Sequence, residues 1–249
     1  MAGLYRSTTA LDCTGATGSG RLVEPMDGTA SDYFGALVAQ YDSLIRRAVP
    51  RYEEMTDRLV EYLPGLKEGA HVLELGCGTG NLTLRLVERY PGSPMVVVDA
   101  APEMVEVTAS RAGGRVEGRV STFEEVALEP GRYSLITSCI SLHHVEDKLG
   151  LYQRLLEALS PGGHLVFADQ LRGGTERLHR INWERWLEFC RSGDTCTDEE
   201  IQGLLDHAEA HDHYTPLVEH FRLLEAAGFG ELDCVWRNWI WGVLSARKR

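Results

Sequence analysis

The stretch HVLELGCGTGNLTLRLVERY, residues 71–90, places a short apolar run directly before three glycines at alternate positions, Gly76, Gly78 and Gly80, and a helical pattern directly after them. A short apolar run bounded by glycine reads as a strand buried on both faces, and the apolar spacing from Leu82 to Tyr90 reads as a helix. Glycines in the turn between them mark backbone in left-handed conformations, or a group approaching too closely for a Cβ. In a doubly wound sheet, ligands bind at the carboxyl ends of the strands, where this turn is also the amino end of a helix. The stretch therefore predicts a strand–turn–helix unit whose backbone amides meet a ligand; an ordinary tight packing turn is the alternative.

Outward from this unit the alternation repeats. MVVVD, GRVS, YSLITSCI and HLVFAD read as strands, and residues 102–112 and 148–159 as helices between them. Repeated strand–helix–strand units force a parallel sheet with helices on both faces. Upstream, apolar residues recur at helical spacing over 31–62, with Pro50 breaking the run into two helices. After Asp169 three helical stretches follow, 176–191, 197–211 and 216–227, the second opening with Thr197 and Glu200 in capping-box spacing. ELDCVWRNWIWGVLSAR then closes the chain as two strand-like runs around Asn238, an antiparallel edge hairpin. Residues 1–30, rich in Thr, Gly and Ser, are expected to form a flexible arm, and 31–249 one domain with a helical lid over 31–63 and a helical cap insert over 170–215.

Composition narrows the partners. A formal charge of -12 over 249 residues, with no basic block except at the chain's end, argues against a nucleic-acid substrate. No apolar run approaches the roughly 18 residues of a membrane span, so no membrane partner and a cytoplasmic location are expected, as a monomer or homodimer. Six cysteines without a C-x-x-C pair fit reduced thiols.

The glycine pattern also discriminates among ligands. A dinucleotide fingerprint is G-x-G-x-x-G; here the order is E-L-G-C-G-T-G, with Glu74 two residues before the first glycine. An acid at that distance repels a pyrophosphate and suits an ammonium group. Asp99, ending the second strand, is placed to accept from both hydroxyls of a ribose, or else to cap the helix that starts at Pro102.

VLELGCGTGNLT, VVVDAAPEM, SLITSCISLHHV and LSPGGHLVFAD, in this order, resemble the motifs of the class I S-adenosylmethionine-dependent methyltransferases. The resemblance runs from about Tyr33 to the end and extends to a bacterial branch acting on small molecules. It implies a Rossmann-like, doubly wound, seven-stranded and mostly parallel sheet with one antiparallel edge strand and a helical cap. It implies S-adenosylmethionine as cofactor, with Glu74 and the backbone of Gly76, Cys77, Gly78 and Gly80 at the methionine part, Asp99 at the ribose, Ala100 and Met104 beside the adenine, and Cys139 next to the sulfonium. Where the family carries an Asp for the adenine amino group this chain reads Ser121-Thr122-Phe123, so Thr122 or the Phe123 backbone is the expected replacement. Tyr33 and Tyr41 are implied as a lid. A small-molecule acceptor in specialised metabolism is the implied substrate.

Methyl transfer needs the acceptor held within about 3–3.5 Å of the methyl carbon, and a general base only where the acceptor is weakly acidic. Ser141, His143 and His144 lie where the family places acceptor-facing groups; in an extended segment the two histidines cannot both face the pocket, and His144 is the expected base or orienter. Asp169, ending the fifth strand, is the other candidate, with a turn acid as its alternative. The Trp183, Trp186 and Phe189 stripe reads as core or as a pocket wall. In HAEAHDHY, His207 and His211 have the i, i+4 spacing of a shared metal, but without the H-E-x-x-H order, so no metal is expected. The entry helices are also similar to carboxy-S-adenosylmethionine synthase, whose reaction needs a cation near the sulfonium, from Arg46, Arg47 or Arg51, or more remotely Arg185 or Arg191. A binder without turnover is the third reading.

Overall fold

A computed structural model describes residues 29–193 and 195–249, without the side chains of residues 30, 34, 36 and 37. The expected flexible arm lies, apart from its last two residues, outside this range. The helices are α1 (Ala30–Ala48), α2 (Tyr52–Glu61), α3 (Asn81–Arg89), α4 (Pro102–Arg111), α5 (Lys148–Ala158), α6 (Glu176–Arg191), α7 (Asp198–His211) and α8 (Leu217–Ala227). The strands are β1 (His71–Leu75), β2 (Met95–Asp99), β3 (Glu117–Val120), β4 (Tyr133–Cys139), β5 (Leu159–Arg172), β6 (Thr215–Pro216), β7 (Phe229–Asn238) and β8 (Trp241–Lys248).

They form one sheet in the order β3-β2-β1-β4-β5-β8-β7, with the two-residue β6 pairing to β5. The first five strands along that path pair in parallel. β8 runs antiparallel to both β5 and β7, so the terminal hairpin supplies the antiparallel edge. The strand order reverses between β1 and β4, and the carboxyl-end crevice at that reversal is where such sheets bind ligands.

The side-chain period of two decides the layers. Val97, Val72, Leu135, Val166 and Val243 face the side carrying α2, α3 and α6, whereas Val96, Val98, Leu73, Ile136, Phe167 and Leu244 face the side carrying α5 and α8. Both faces are covered, which is why the strands read as unbroken apolar runs. Burying a side chain such as Leu59 or Leu86, each 0% exposed, contributes about 1.5–3 kcal/mol.

Local signals start and stop the helices. Thr29 and Asp32 form a capping box at α1, and Thr197 and Glu200 form the predicted one at α7. β5 is longer than HLVFAD and carries Asp169 in its interior, paired to Gly242 of β8. Asp169 therefore does not end its strand: β8 and β6 continue the ladder on either side of it, as far as Arg172.

Candidate active site

The first group of residues at the carboxyl ends comes from the turns after β1 and β2. Gly76, Gly78 and Gly80 have φ of 71°, 50° and 90°, the left-handed region that favours glycine. At Gly76 a Cβ is also excluded by contact, since it would stand 2.0 Å from Ser141 Oγ and 2.4 Å from Ser141 Cβ. The amides of Gly76 and Cys77 donate to the Val98 carbonyl at 2.8 and 3.0 Å, and the Gly78 amide donates to Asp99 Oδ2 at 2.9 Å. These bonds lock the first turn onto the second strand. Beside this turn stand two carboxyl groups, Glu74 and Asp99.

Glu74 is 1% exposed and accepts from Thr83 Oγ1 at 2.6 Å. Burial pushes its carboxyl up to about 8 against the pull of Thr83, and the Asp99 charge adds to the rise. Asp99 also accepts from the Ala101 amide at 3.0 Å, a bond ahead of α4 and not a side-chain cap of that helix, while each carboxylate oxygen keeps room for a further donor. Burial raises the Asp99 carboxyl and the amide bonds oppose that rise. Around them, Met104 is buried, the Ala100 carbonyl accepts from Ser31 Oγ at 3.0 Å, and the Phe123 ring reaches 3.4 Å from the Gly76 Cβ direction. Phe123 is steadied by Arg154, which donates to its carbonyl and to that of Val126. Thr122 is exposed. Burial and the Glu74 and Asp169 carboxylates push the Cys139 thiol well up, so it is a neutral group.

The second group lines a mostly apolar cavity next to the first. Its walls come from α1 (Tyr41, Leu44, Ile45), from Ile140 and His143 after β4, and from Trp186, Leu204, Asp212 and Tyr214 of the cap. Ile140 has φ 59°, unfavourable for a β-branched residue, and its amide is held by the Ala168 carbonyl at 2.8 Å. This bend turns the chain into a short 3-10 helix, Leu142–His144. Successive side chains in such a helix are about a third of a turn apart, so His143 and His144 both reach toward Asp212, and of the two His143 lines the cavity.

Asp212 is the centre of this group. His144 Nδ1, His207 Nε2 and His143 Nε2 stand 3.1, 3.6 and 3.7 Å from its Oδ1, and Tyr214 donates to its Oδ2. Burial works against its charge, but His143, His144 and Tyr214 hold the carboxyl far below the usual range. His143 Nδ1 lies 2.5 Å from Asp169 Oδ1. Burial resists protonation of His143, and the Asp169 and Asp212 carboxylates outweigh it and raise its pKa, whereas burial and the neighbouring His143 lower His144. The Asp212 segment is pinned by the His213 amide donating to the His143 carbonyl at 2.8 Å and by buried Lys148, whose ammonium donates to Val145 and His213 carbonyls.

The structure thus brings Glu74, Gly76, Gly78, Asp99, Phe123 and Tyr41 to one side of the crevice and His143, His144 and Asp169 to the other. Tyr33 belongs to the second side, stacked on His207 at 4.5 Å. Trp183 is core, while Trp186 is both core and wall. Asp212 and Tyr214 went unnoticed in HAEAHDHY because its histidines drew the reading, and Lys148 carries no sequence signal at all. His211 packs 5.1 Å from His207, and His220 is elsewhere, bonded to Tyr152 at 2.6 Å.

Comparisons with known proteins agree with this geometry. Residues 45–230 match a methyltransferase domain family. The chain is 29% identical over 214 residues to carboxy-S-adenosyl-L-methionine synthase of Chromohalobacter salexigens, covering 82% of this chain and 79% of that protein. It is 35% identical over 104 residues to the ubiquinone biosynthesis O-methyltransferase of Xanthomonas euvesicatoria, covering 40% and 43%, so the match spans less than half the length of that relative. Among solved structures, Haemonchus contortus phosphoethanolamine N-methyltransferase 2, in complex with phosphomonomethylethanolamine and S-adenosylhomocysteine, superposes with a TM-score of 0.65 at 14% identity, over 89% of this chain and 61% of that one. Geranyl diphosphate C-methyltransferase of Streptomyces coelicolor gives 0.58 at 13%, over 79% and 76%. At such identities these show the fold, and with the family match over most of its length the chain belongs to the class I S-adenosylmethionine-dependent methyltransferases.

Proposed function

We propose that the chain methylates a small, partly apolar or aromatic acceptor held in the cavity between α1 and the cap, in bacterial specialised metabolism and in the cytoplasm. The cofactor fits the residues present. A buried carboxyl raised to about 8 is matched by an ammonium, and Asp99 has acceptor capacity left for ribose hydroxyls. Bound there, S-adenosylmethionine supplies an electrophilic methyl on a sulfonium. Every other task falls to the chain.

The observation that carries the reading is His143 in the cavity wall, held from behind by Asp169 at 2.5 Å and two residues from the Ser141 side chain that packs over Gly76. One short helix therefore joins the cofactor turn to the acceptor cavity. Asp169 orients His143, and His143 aligns the acceptor and takes its proton. Tyr33 and Tyr41 exclude water from α1, with Tyr41 Cε1 3.7 Å from the Gly78 Cβ direction.

Synthesis of the carboxylated cofactor is favoured less. Arg46, Arg47 and Arg51 pair with Glu53, Glu200 and Glu54, Arg185 and Arg191 are exposed, and among the described residues the cavity lining contains Asp212 and histidines without Lys or Arg.

The test is calorimetric titration of S-adenosylhomocysteine into the parent chain and Asp99→Ala, followed by acceptor screening with labelled S-adenosylmethionine. Loss of binding in the variant is expected. Unchanged binding places the cofactor elsewhere.

A further inference from the structure

We propose that the acid–histidine cluster of the acceptor cavity is a binding site for one late first-row divalent metal ion, of the zinc, cobalt(II) or iron(II) kind, in addition to its part in the acceptor chemistry. His143, His144 and Asp212 each bring a ligand-type atom within 4.8 Å of the others. Bonds of about 2.0–2.1 Å in a tetrahedron put ligand atoms roughly 3.3 Å apart. The separations from Asp212 Oδ1 to the His144 and His143 nitrogens, 3.1 and 3.7 Å, straddle that value, so closing these three side chains around an ion gives a ligand set of two imidazoles and one carboxylate, with His207 Nε2 3.6 Å from the same oxygen beside it.

Three features separate this cluster from a chance grouping. The side chains are buried, with Asp212 4%, His143 5%, His207 6% and His144 20% exposed. The outer partners are in place: Asp169 holds His143 Nδ1 at 2.5 Å and Tyr214 holds Asp212 Oδ2, the arrangement that fixes a metal-bound imidazole and carboxylate. The ligands also come from two segments pinned to each other, by the His213 amide on His143 and by Lys148 on His213, so the site is assembled by the fold and does not depend on one flexible loop. Imidazole nitrogen with one carboxylate selects late first-row ions over magnesium, which prefers oxygen and water.

The place of the ion in catalysis rests on the methyl-transfer reading. An acceptor hydroxyl bound at the ion's open position would lose its proton to water, because the ion lowers its pKa; with the O–H bond broken, the oxygen lone pair would form the bond to the methyl carbon as the carbon–sulfur bond breaks and its electron pair leaves on the sulfur of S-adenosylhomocysteine. With the ion bound, His143 serves as a ligand through Nε2, with Nδ1 on Asp169, and the ion takes over the proton-removing role given to His143 above.

The tag-free full chain, stripped with a chelator and dialysed, is titrated with zinc(II), cobalt(II) and magnesium(II) separately. The expected result is one equivalent of zinc or cobalt, visible d–d bands of a four- or five-coordinate cobalt centre, and no magnesium binding. Asp212→Asn and His144→Gln each weaken zinc by at least about 10-fold, and Asp169→Asn by about 10–100-fold. His213→Gln, whose side chain is exposed, binds as the parent does. Thermal unfolding of the stripped variants shows that each is folded. Absence of stoichiometric zinc binding in the parent overturns the proposal, as does parental affinity in both Asp212→Asn and His144→Gln. Titrating S-adenosylhomocysteine into the stripped chain keeps the two readings apart: retained binding with no zinc site sinks this inference alone, and lost binding with an intact zinc site sinks the methyl-transfer reading alone.

Discussion

The two halves of the crevice are made in opposite ways. On the cofactor side, a few consecutive residues do the work: the turn after β1 folds back on β2 through its own amides, and its shape is set by glycine torsions and the absence of a Cβ. On the acceptor side, residues far apart in sequence are carried together by the sheet and the cap, and the centre is a single carboxylate among imidazoles. The first is a backbone device that tolerates no change of shape. The second is a side-chain device, open to change residue by residue. A ligand-binding surface can thus be rigid in one half and adjustable in the other within a single crevice.

The largest effect that would break this contrast is expected at Gly76. Gly76→Ala should lose about 2–4 kcal/mol of stability through the clash with Ser141 and the left-handed torsion, together with about 100-fold or more in S-adenosylhomocysteine affinity. Adding Ser141→Gly should restore part of the stability and leave the torsional part; full recovery in a urea titration would show that contact alone, not backbone shape, makes the turn.

On the other side, His143→Ala should lower turnover by about 10²–10⁴-fold while calorimetry finds S-adenosylhomocysteine affinity within about twofold of the parent. His144→Ala should slow turnover less, with the same retained affinity. A variant that lost both functions together would erase the division between the halves.

A subtler test concerns Glu74. Its carboxyl stays protonated up to about 8 in the fold against 4.5 as the reference value, so the folded chain holds a proton in that window that the unfolded chain has released. Its stabilising contribution is therefore complete below about 4.5 and is lost as pH rises toward about 8, with a slope of up to about 1.4 kcal/mol per pH unit. Glu74→Gln should flatten that slope in unfolding titrations across the window. S-adenosylhomocysteine, bringing an ammonium, should release a proton on binding below pH 8, seen as a buffer-dependent binding heat; no release would remove Glu74 from the site.

The smallest effect is expected at Arg47, whose guanidinium bonds Glu200 at 2.6 and 2.8 Å across α1 and α7. Both partners are about a third exposed, so Arg47→Ala should cost only about 0.5–1 kcal/mol, measured by denaturant midpoint.

This division also explains what could be read from the chain. The strand–helix alternation, the capping box at Thr197 and Glu200, and the glycine turn are local and follow from periodicity and torsion. The Gly76 contact with Ser141, 65 positions later by their numbers, is long-range, although the glycine announces it. Asp212 is different: it becomes functional only because Ile140 bends the chain and Lys148 and His213 fasten two segments, none of which has a spacing rule. His143 and His144 both approach Asp212 for the same reason, since left-handed Ile140 is followed by a short helix where an extended segment was expected.

Helix α1 adds a consequence for the order of events. Asp42 accepts from Thr79 and Asn81 of the cofactor turn and pairs with Arg111, while the Ala48 carbonyl at its other end accepts from Trp186 at 2.9 Å in the cap. The same helix thus touches both halves of the crevice. Any opening of α1 would free both at once, so the expected steady-state kinetics are sequential; a ping-pong pattern would show that the two halves open separately.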